Sequence, residues 1–373
     1  MSIDVHQVVS RGELKTWVEL PYRLYRGHPY QVPQIFSDEL AYFDQRKNPA
    51  FEVSDVRLFL ASDAGQVVGR VCCIVSTLET AKLGYKRGRF GWFECTDDRQ
   101  VAELLLDTAT NWFRSEGCTE MTGPQGFTDL DPEGLLIEGF DHLPTVSGSY
   151  NHPYYQCLLE DYGLEKAVDY IEFRSLVPQD SALFERMRKR FARDDRYRVV
   201  TCKNRKEMLS HVGAVWEVLE AAFADLYGVM PLTEKQKDFY TKKYFGFLDP
   251  DFVKLTFSKQ GELVGFIIAI PNLSGGFKRA RGRLLPFGFL HLLREYRKPV
   301  TVDFLLTGVK PGEPSGLIFG LNSVAMYDTL HQRGVRYMET NRELENNTAI
   351  TGIWNKFERV FSRRSRVYRL ALR

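Results

Sequence analysis

One pattern occurs twice in this chain, and it limits the possible folds more than any other feature. Leu58–Ile74 reads LFLASDAGQVVGRVCCI and Lys254–Ile270 reads KLTFSKQGELVGFIIAI. Each run is a strand, a turn closing on a glycine (Gly65, Gly261), a second glycine (Gly69, Gly265) and another apolar strand. A helix stopped by Gly117 or Gly334, then a strand, follows each hairpin: AELLLDTATNWFRSEGCTEMTG from Ala102 and NSVAMYDTLHQRGVRYMET from Asn322. The turn glycines are 196 residues apart and the helix-stopping glycines 217. The difference of 21 is about what an extra segment at 271–299 would add to the second copy. A repeated unit in 373 residues predicts two similar domains, 1–178 and 197–373, joined by a linker helix at 179–196.

Charge and cysteine usage narrow the chemistry. A formal net charge of +2 does not suit an electrostatic binder of nucleic acid, so no DNA partner is expected. No apolar run is long enough to cross a bilayer, and MSIDVHQVVSRGELK lacks a basic-then-apolar leader pattern, so stable membrane insertion is not expected and a cytoplasmic location is. The six cysteines form no CxxC pair and sit in apolar patterns, which predicts reduced core thiols. Scattered histidines predict no metal site.

The second copy runs helix, helix, hairpin, long strand, helix, strand, helix, strand. After the strand Val300–Gly308 comes the turn Val309-Lys310-Pro311-Gly312-Glu313-Pro314-Ser315-Gly316 and then a helix. This order and the Val-x-Pro step resemble the GNAT acyltransferase superfamily. The resemblance implies an α/β (α+β) chain of two tandem GNAT-like folds. Each would be a mixed, mostly antiparallel sheet with a central parallel pair and flanking helices. It also implies that Val309, Lys310, Gly312, Ser315 and Gly316 bind the pyrophosphate of acetyl-CoA or a longer acyl-CoA, as exposed amides at a helix start do. Glu313 and Pro314 depart from the family's glycine-rich turn: one adds a negative charge and the other removes an N–H. In the first copy the same place reads Cys95-Thr96-Asp97-Asp98, whose carboxylates oppose a phosphate, so no CoA is expected there. The tandem arrangement is similar to that of N-myristoyltransferases and Fem-type aminoacyltransferases.

The resemblance places the thioester where the strands Val300–Gly308 and Arg336–Thr340 part. Glu339 and Glu345 are then candidate bases, Asn341 a positioning group, and Tyr368 a proton donor to the leaving thiolate. The long loop 123–148 and the start of the next helix are acidic and aromatic, making Asp129, Glu138 and Tyr154 candidates for holding a cationic amine or amino-acid acceptor. The insertion 271–299 carries seven Lys or Arg and one acid around an apolar centre; a homodimer contact, a membrane surface and RNA are all compatible with that pattern. The expected function is acyl-CoA-dependent N-acyl transfer to a small amine. Fem-like transfer from charged tRNA and a non-catalytic binding role are the alternatives.

Overall fold

In the computed structural model, which describes residues 3–180, 182–191 and 194–372, both hairpins form. Gly65 and Gly261 close their turns at φ +81° and +84°, a region open to glycine. Gly69 and Gly265 serve close packing. A Cβ on Gly69 would lie 2.6 Å from Leu105 Cδ1, and one on Gly265 would lie 2.4 Å from Ile318 Cγ2. Their missing side chains let the helices Arg99–Ser115 and Ser315–Gln332 lie flat on the hairpins.

The first half contributes β1 (Asp4–Gln7), β2 (Ser54–Asp63), β3 (Gln66–Ser76), β4 (Arg87–Cys95), β5 (Glu120–Gly123), β6 (Leu135–Glu138) and β7 (Glu165–Leu176). The second contributes β8 (Tyr197–Thr201), β9 (Val253–Ser258), β10 (Leu263–Pro271), β11 (Thr301–Val309), β12 (Tyr337–Thr340), β13 (Glu343–Leu344) and β14 (Arg359–Ala371). They make one sheet in the order β1-β2-β3-β4-β5-β14-β7-β12-β11-β10-β9-β8, with β13 on β7 and β6 on β14. Among the described residues only β4–β5 and β11–β12 are parallel, so each half is mostly antiparallel with one central parallel pair, as expected.

The last strand of each half lies beside the parallel pair of the other. β14 pairs with β5 and β7 with β12, and β7 and β14 pair with each other along most of their length. The sheet therefore does not follow the chain-order division at 178 and 197. Residues 182–191 of the expected linker form a helix, whose Phe184 stacks on Tyr327 at 3.8 Å; residues 181, 192 and 193 lie outside the described residues. The core of the first half centres on Leu105, Leu106 and Phe113, and that of the second on Phe252, Val302, Met326 and Leu330. The loop 123–148 is not structureless, because β6 forms within it and pairs with β14. The insertion folds as two helices, Ser274–Ala280 and Gly288–Arg297.

Candidate functional site

β11 and β12 stay paired from Thr301 and Tyr337 to Phe304 and Thr340, and then part. Asn341 marks the fork: its backbone N–H donates to the Phe304 carbonyl at 3.0 Å and its side-chain amide to the Leu305 carbonyl at 3.2 Å. The chain then turns away to β13, while β11 continues to Val309 with β10 on its other side. The β10–β11 register slips beside Leu305, leaving it a bulge at the fork.

A cavity of about 780 Å³ fills the gap. Its wall is mostly apolar: Val215, Trp216, Leu219 and Phe223 from the helix Val212–Phe223, Phe184 and Met187 from the linker helix, and Leu305 and Leu306 from β11. Val309, Ser315 and Gly316 also line it. The helix that starts at Ser315 has no side-chain cap, and its first turn closes with Leu317 and Ile318 donating to the Pro314 carbonyl at 3.0 and 3.1 Å. The Ser315 and Gly316 amides precede those bonds, as the first donors of any helix do. A Cβ on Gly316 would meet nothing within 4 Å, so space is open there. The Glu313 carboxylate accepts a hydrogen bond from the Tyr197 hydroxyl at 2.6 Å, and Lys310 pairs with Glu262.

The polar part of the wall joins the two halves. Asp129, Glu133 and Tyr170 come from the first, and Asn341, Arg342 and Glu343 from the second. The Arg342 guanidinium donates to the carbonyls of Glu133, Asp131 and Asp129 at 3.3, 3.0 and 3.4 Å, pinning that loop to the fork. Burial pushes Asp129 up to about 7, helped by the charge of Glu133, and burial alone pushes Glu343 up to about 8. Protein surrounds Glu343 on most sides, though the cavity leaves it partial access to water; no partner holds it among the described residues.

Asp303 and Glu339 face each other across the parallel pair, away from the cavity lining. Arg174 of β7 grips one Glu339 oxygen at 2.9 and 2.6 Å, and Asn272 donates to Asp303 at 2.8 Å. Burial raises both carboxyl groups.

The structure thus brings Val309, Ser315, Gly316, Asn341 and Asp129 to one cavity. It places the other candidates elsewhere. Lys310 and Gly312 lie in the turn but not on the wall, and Glu339 is locked to Arg174. Glu345 is held by Lys166 at 2.5 Å and Arg364 at 3.2 Å, and Glu138 sits 3.5 Å from Arg364. Tyr154 donates to the Cys95 carbonyl at 2.8 Å. Tyr368 donates to Glu160 at 3.0 Å inside the core of the first half, because β14 crosses to β5. Glu343 stands in the same polar run as Asn341, yet its neighbours in sequence looked equally promising. Glu133 stands with Asp129 in the acidic loop 123–148, whereas Tyr170 lies on a strand of the other half and nothing local marks it.

No protein-family model matches the chain. Protein YghO of Escherichia coli (strain K12) is 27% identical over 381 residues, covering 98% of this chain and 94% of that protein. A bacterial ceramide synthase of Caulobacter vibrioides (strain NA1000 / CB15N) is 29% identical over 294 residues, covering 78% of this chain and 76% of that protein. Among solved structures, a tandem GNAT protein from the clavulanic acid biosynthesis pathway superposes over 100% of this chain and 99% of its own, with a TM-score of 0.57 at 12% identity. The fold is a tandem GNAT fold. A GCN5-related glucosamine N-acetyltransferase region in a fungal multi-domain β-N-acetylglucosaminidase agrees, with a TM-score of 0.59 at 13% identity over 99% of this chain and 38% of that one.

The two GNAT-like halves differ at the turn that leads from the long strand into the following helix. Cys95 is the counterpart of Val309, since each pairs with the second hairpin glycine. In the first half the Cys95 N–H donates to the buried Tyr155 hydroxyl at 2.8 Å. The Asp98 carboxylate accepts from the N–H groups of Gln100 and Val101 at 2.8 and 3.4 Å. That helix start is neutralised by its own side chain, whereas Ser315 and Gly316 face open space.

Proposed function

We propose that this chain is an acyl-CoA-dependent N-acyltransferase that places a long acyl chain on an amine held where the two halves meet. The cavity carries this reading. Its wall combines an extensive apolar lining, uncapped helix-start amides and a carboxyl group poised near neutral pH. Ser315 and Gly316 would hold the pyrophosphate, since two N–H groups and the positive end of an 18-residue helix converge there. The co-substrate supplies an acyl group activated as a thioester. The β11 edge beyond Leu305 has no strand on its β12 side, so backbone donors there can meet a carbonyl oxygen.

A cationic amine that reaches Asp129, Glu133 and Glu343 must lose a proton before it can attack. Glu343 is matched to that task, because a base works best with a pKa near the working pH. About 780 Å³ of mostly apolar space far exceeds what an acetyl group fills. One relative is named a ceramide synthase, and a ceramide is an N-acylated long-chain amino alcohol. Long-chain amino alcohols are therefore the acceptor class to test first.

Calorimetric titration with acyl-CoAs of increasing chain length tests the reading. Each buried CH₂ contributes about 0.8 kcal/mol, so affinity should rise about fourfold per carbon until the cavity fills. Mass spectrometry should then find the N-acyl product with a long-chain amino alcohol. Failure of every acyl-CoA to bind, or equal affinity for acetyl-CoA and hexadecanoyl-CoA, would sink the proposal.

A further inference from the structure

We infer that the segment 281–298 is a docking surface for an anionic lipid bilayer. Large apolar side chains exposed elsewhere on the described residues are scattered, but Leu285, Phe287, Phe289, Leu290 and Leu293 crowd into one short stretch. Leu285 and Phe287 are 79% and 71% exposed. The helix Gly288–Arg297 is seated by its other side: Leu292 is buried, and the Tyr296 hydroxyl donates to the Leu248 carbonyl at 3.1 Å. Phe289 and Leu293 are one turn apart, so they share the outward face. A helix packed only for its own fold would turn these residues inward.

The charges around the patch choose its occupant. Arg281, Arg283, Arg294, Arg297 and Lys298 are all exposed beside it. Glu295, the one acid in the insertion, is already engaged: it accepts from the Gly276 N–H at 2.5 Å and pairs with Arg279. Two copies meeting face to face would set these cations against each other. Nucleic acid would leave the leucines and phenylalanines unused. An anionic bilayer satisfies both sets, with apolar side chains at the acyl boundary and cations among the head-group phosphates. Attachment is peripheral, as no helix among the described residues is long and apolar enough to cross a membrane.

This inference rests on the surface alone and is independent of the acyltransferase reading. Flotation with phosphatidylcholine vesicles, with and without phosphatidylglycerol, tests it. Binding should be at least about tenfold tighter to the anionic vesicles and should weaken as salt rises. Both the Phe287→Ser/Phe289→Ser variant and the Arg281→Glu/Arg283→Glu variant should lose about tenfold or more, with unchanged Tm because all four positions are exposed. Acyl-CoA titration in vesicle-free solution should not change in either variant, which keeps the two proposals separable. The inference is overturned by no vesicle binding, by variants that bind like the parent, by a dimer that sediments apart on Phe287→Ser/Phe289→Ser, or by RNA binding that outcompetes vesicles.

Discussion

Replacing Glu343 with glutamine should make the chain more stable and, under the proposed function, acyl transfer slower. Burial raises this carboxyl group from the ordinary 4.5 to about 8. The unfolded chain therefore releases the proton at lower pH than the folded chain does. Below pH 4.5 both states are protonated and the native state carries no penalty; between 4.5 and about 8 stability falls as pH rises. The loss is about 1.4 kcal/mol per pH unit, reaching about 3 kcal/mol at pH 7, a ceiling because water in the cavity screens the charge. Glutamine removes the ionisation and keeps the shape. An unfolding entropy of about 0.8 kcal/mol/K for a chain of this length converts the gain to roughly 4 °C in Tm. Denaturation of both proteins from pH 4.5 to 8 should show curves that coincide at the acid end and diverge upward. In acyl transfer, kcat/KM of the parent should rise with pH, reach half its maximum near 8 and level off above that, and Glu343→Gln should lose that limb with about 10²- to 10⁴-fold of the rate. Identical pH dependence of stability in the two proteins, or an unaltered rate profile, would refute the reasoning.

Two further substitutions probe the fork and the repeat. Gly316→Asp puts a carboxylate in the first turn of the second half's helix, just inside the N-cap place that Asp98 holds in the first; it should weaken CoA binding at least about tenfold in calorimetry while leaving Tm the same or slightly higher, since a first-turn acid suits the helix dipole. Gly265→Ala puts a Cβ 2.4 Å from Ile318 Cγ2, within a buried helix–hairpin contact. A loss of about 1–3 kcal/mol should appear as a lower urea midpoint, and an unchanged midpoint would show that the close approach does not constrain the packing.

Much of the fold was readable from glycine spacing. Gly65, Gly69, Gly261 and Gly265 mark backbone geometries and close approaches that other residues resist, so a repeat of them is a repeat of structure. The asymmetry of the two helix starts was also legible, because Asp98 caps a helix by local hydrogen bonds. The site was legible only in part. Val309, Ser315, Gly316 and Asn341 lie on one continuous path from strand to fork and helix start, and the acidic loop does reach the cavity, through Asp129 and Glu133.

What the sequence could not reveal is the exchange of final strands. Tyr368 follows the second half in the chain, yet β14 carries it into the core of the first. By the same exchange β7 brings Tyr170 beside β13, and Arg342 clamps the loop that bears Asp129 and Glu133. Strand pairing between distant segments is chosen by the whole sheet, since a β-strand's hydrophobic pattern names its buried face and not its neighbour. The sequence by itself thus determined the repeated unit, its turns and which copy has a side-chain-capped helix start and which does not. Tertiary structure decided which carboxyl groups share the cavity, and burial there, which no local pattern encodes, raised the Glu343 carboxyl group to about 8.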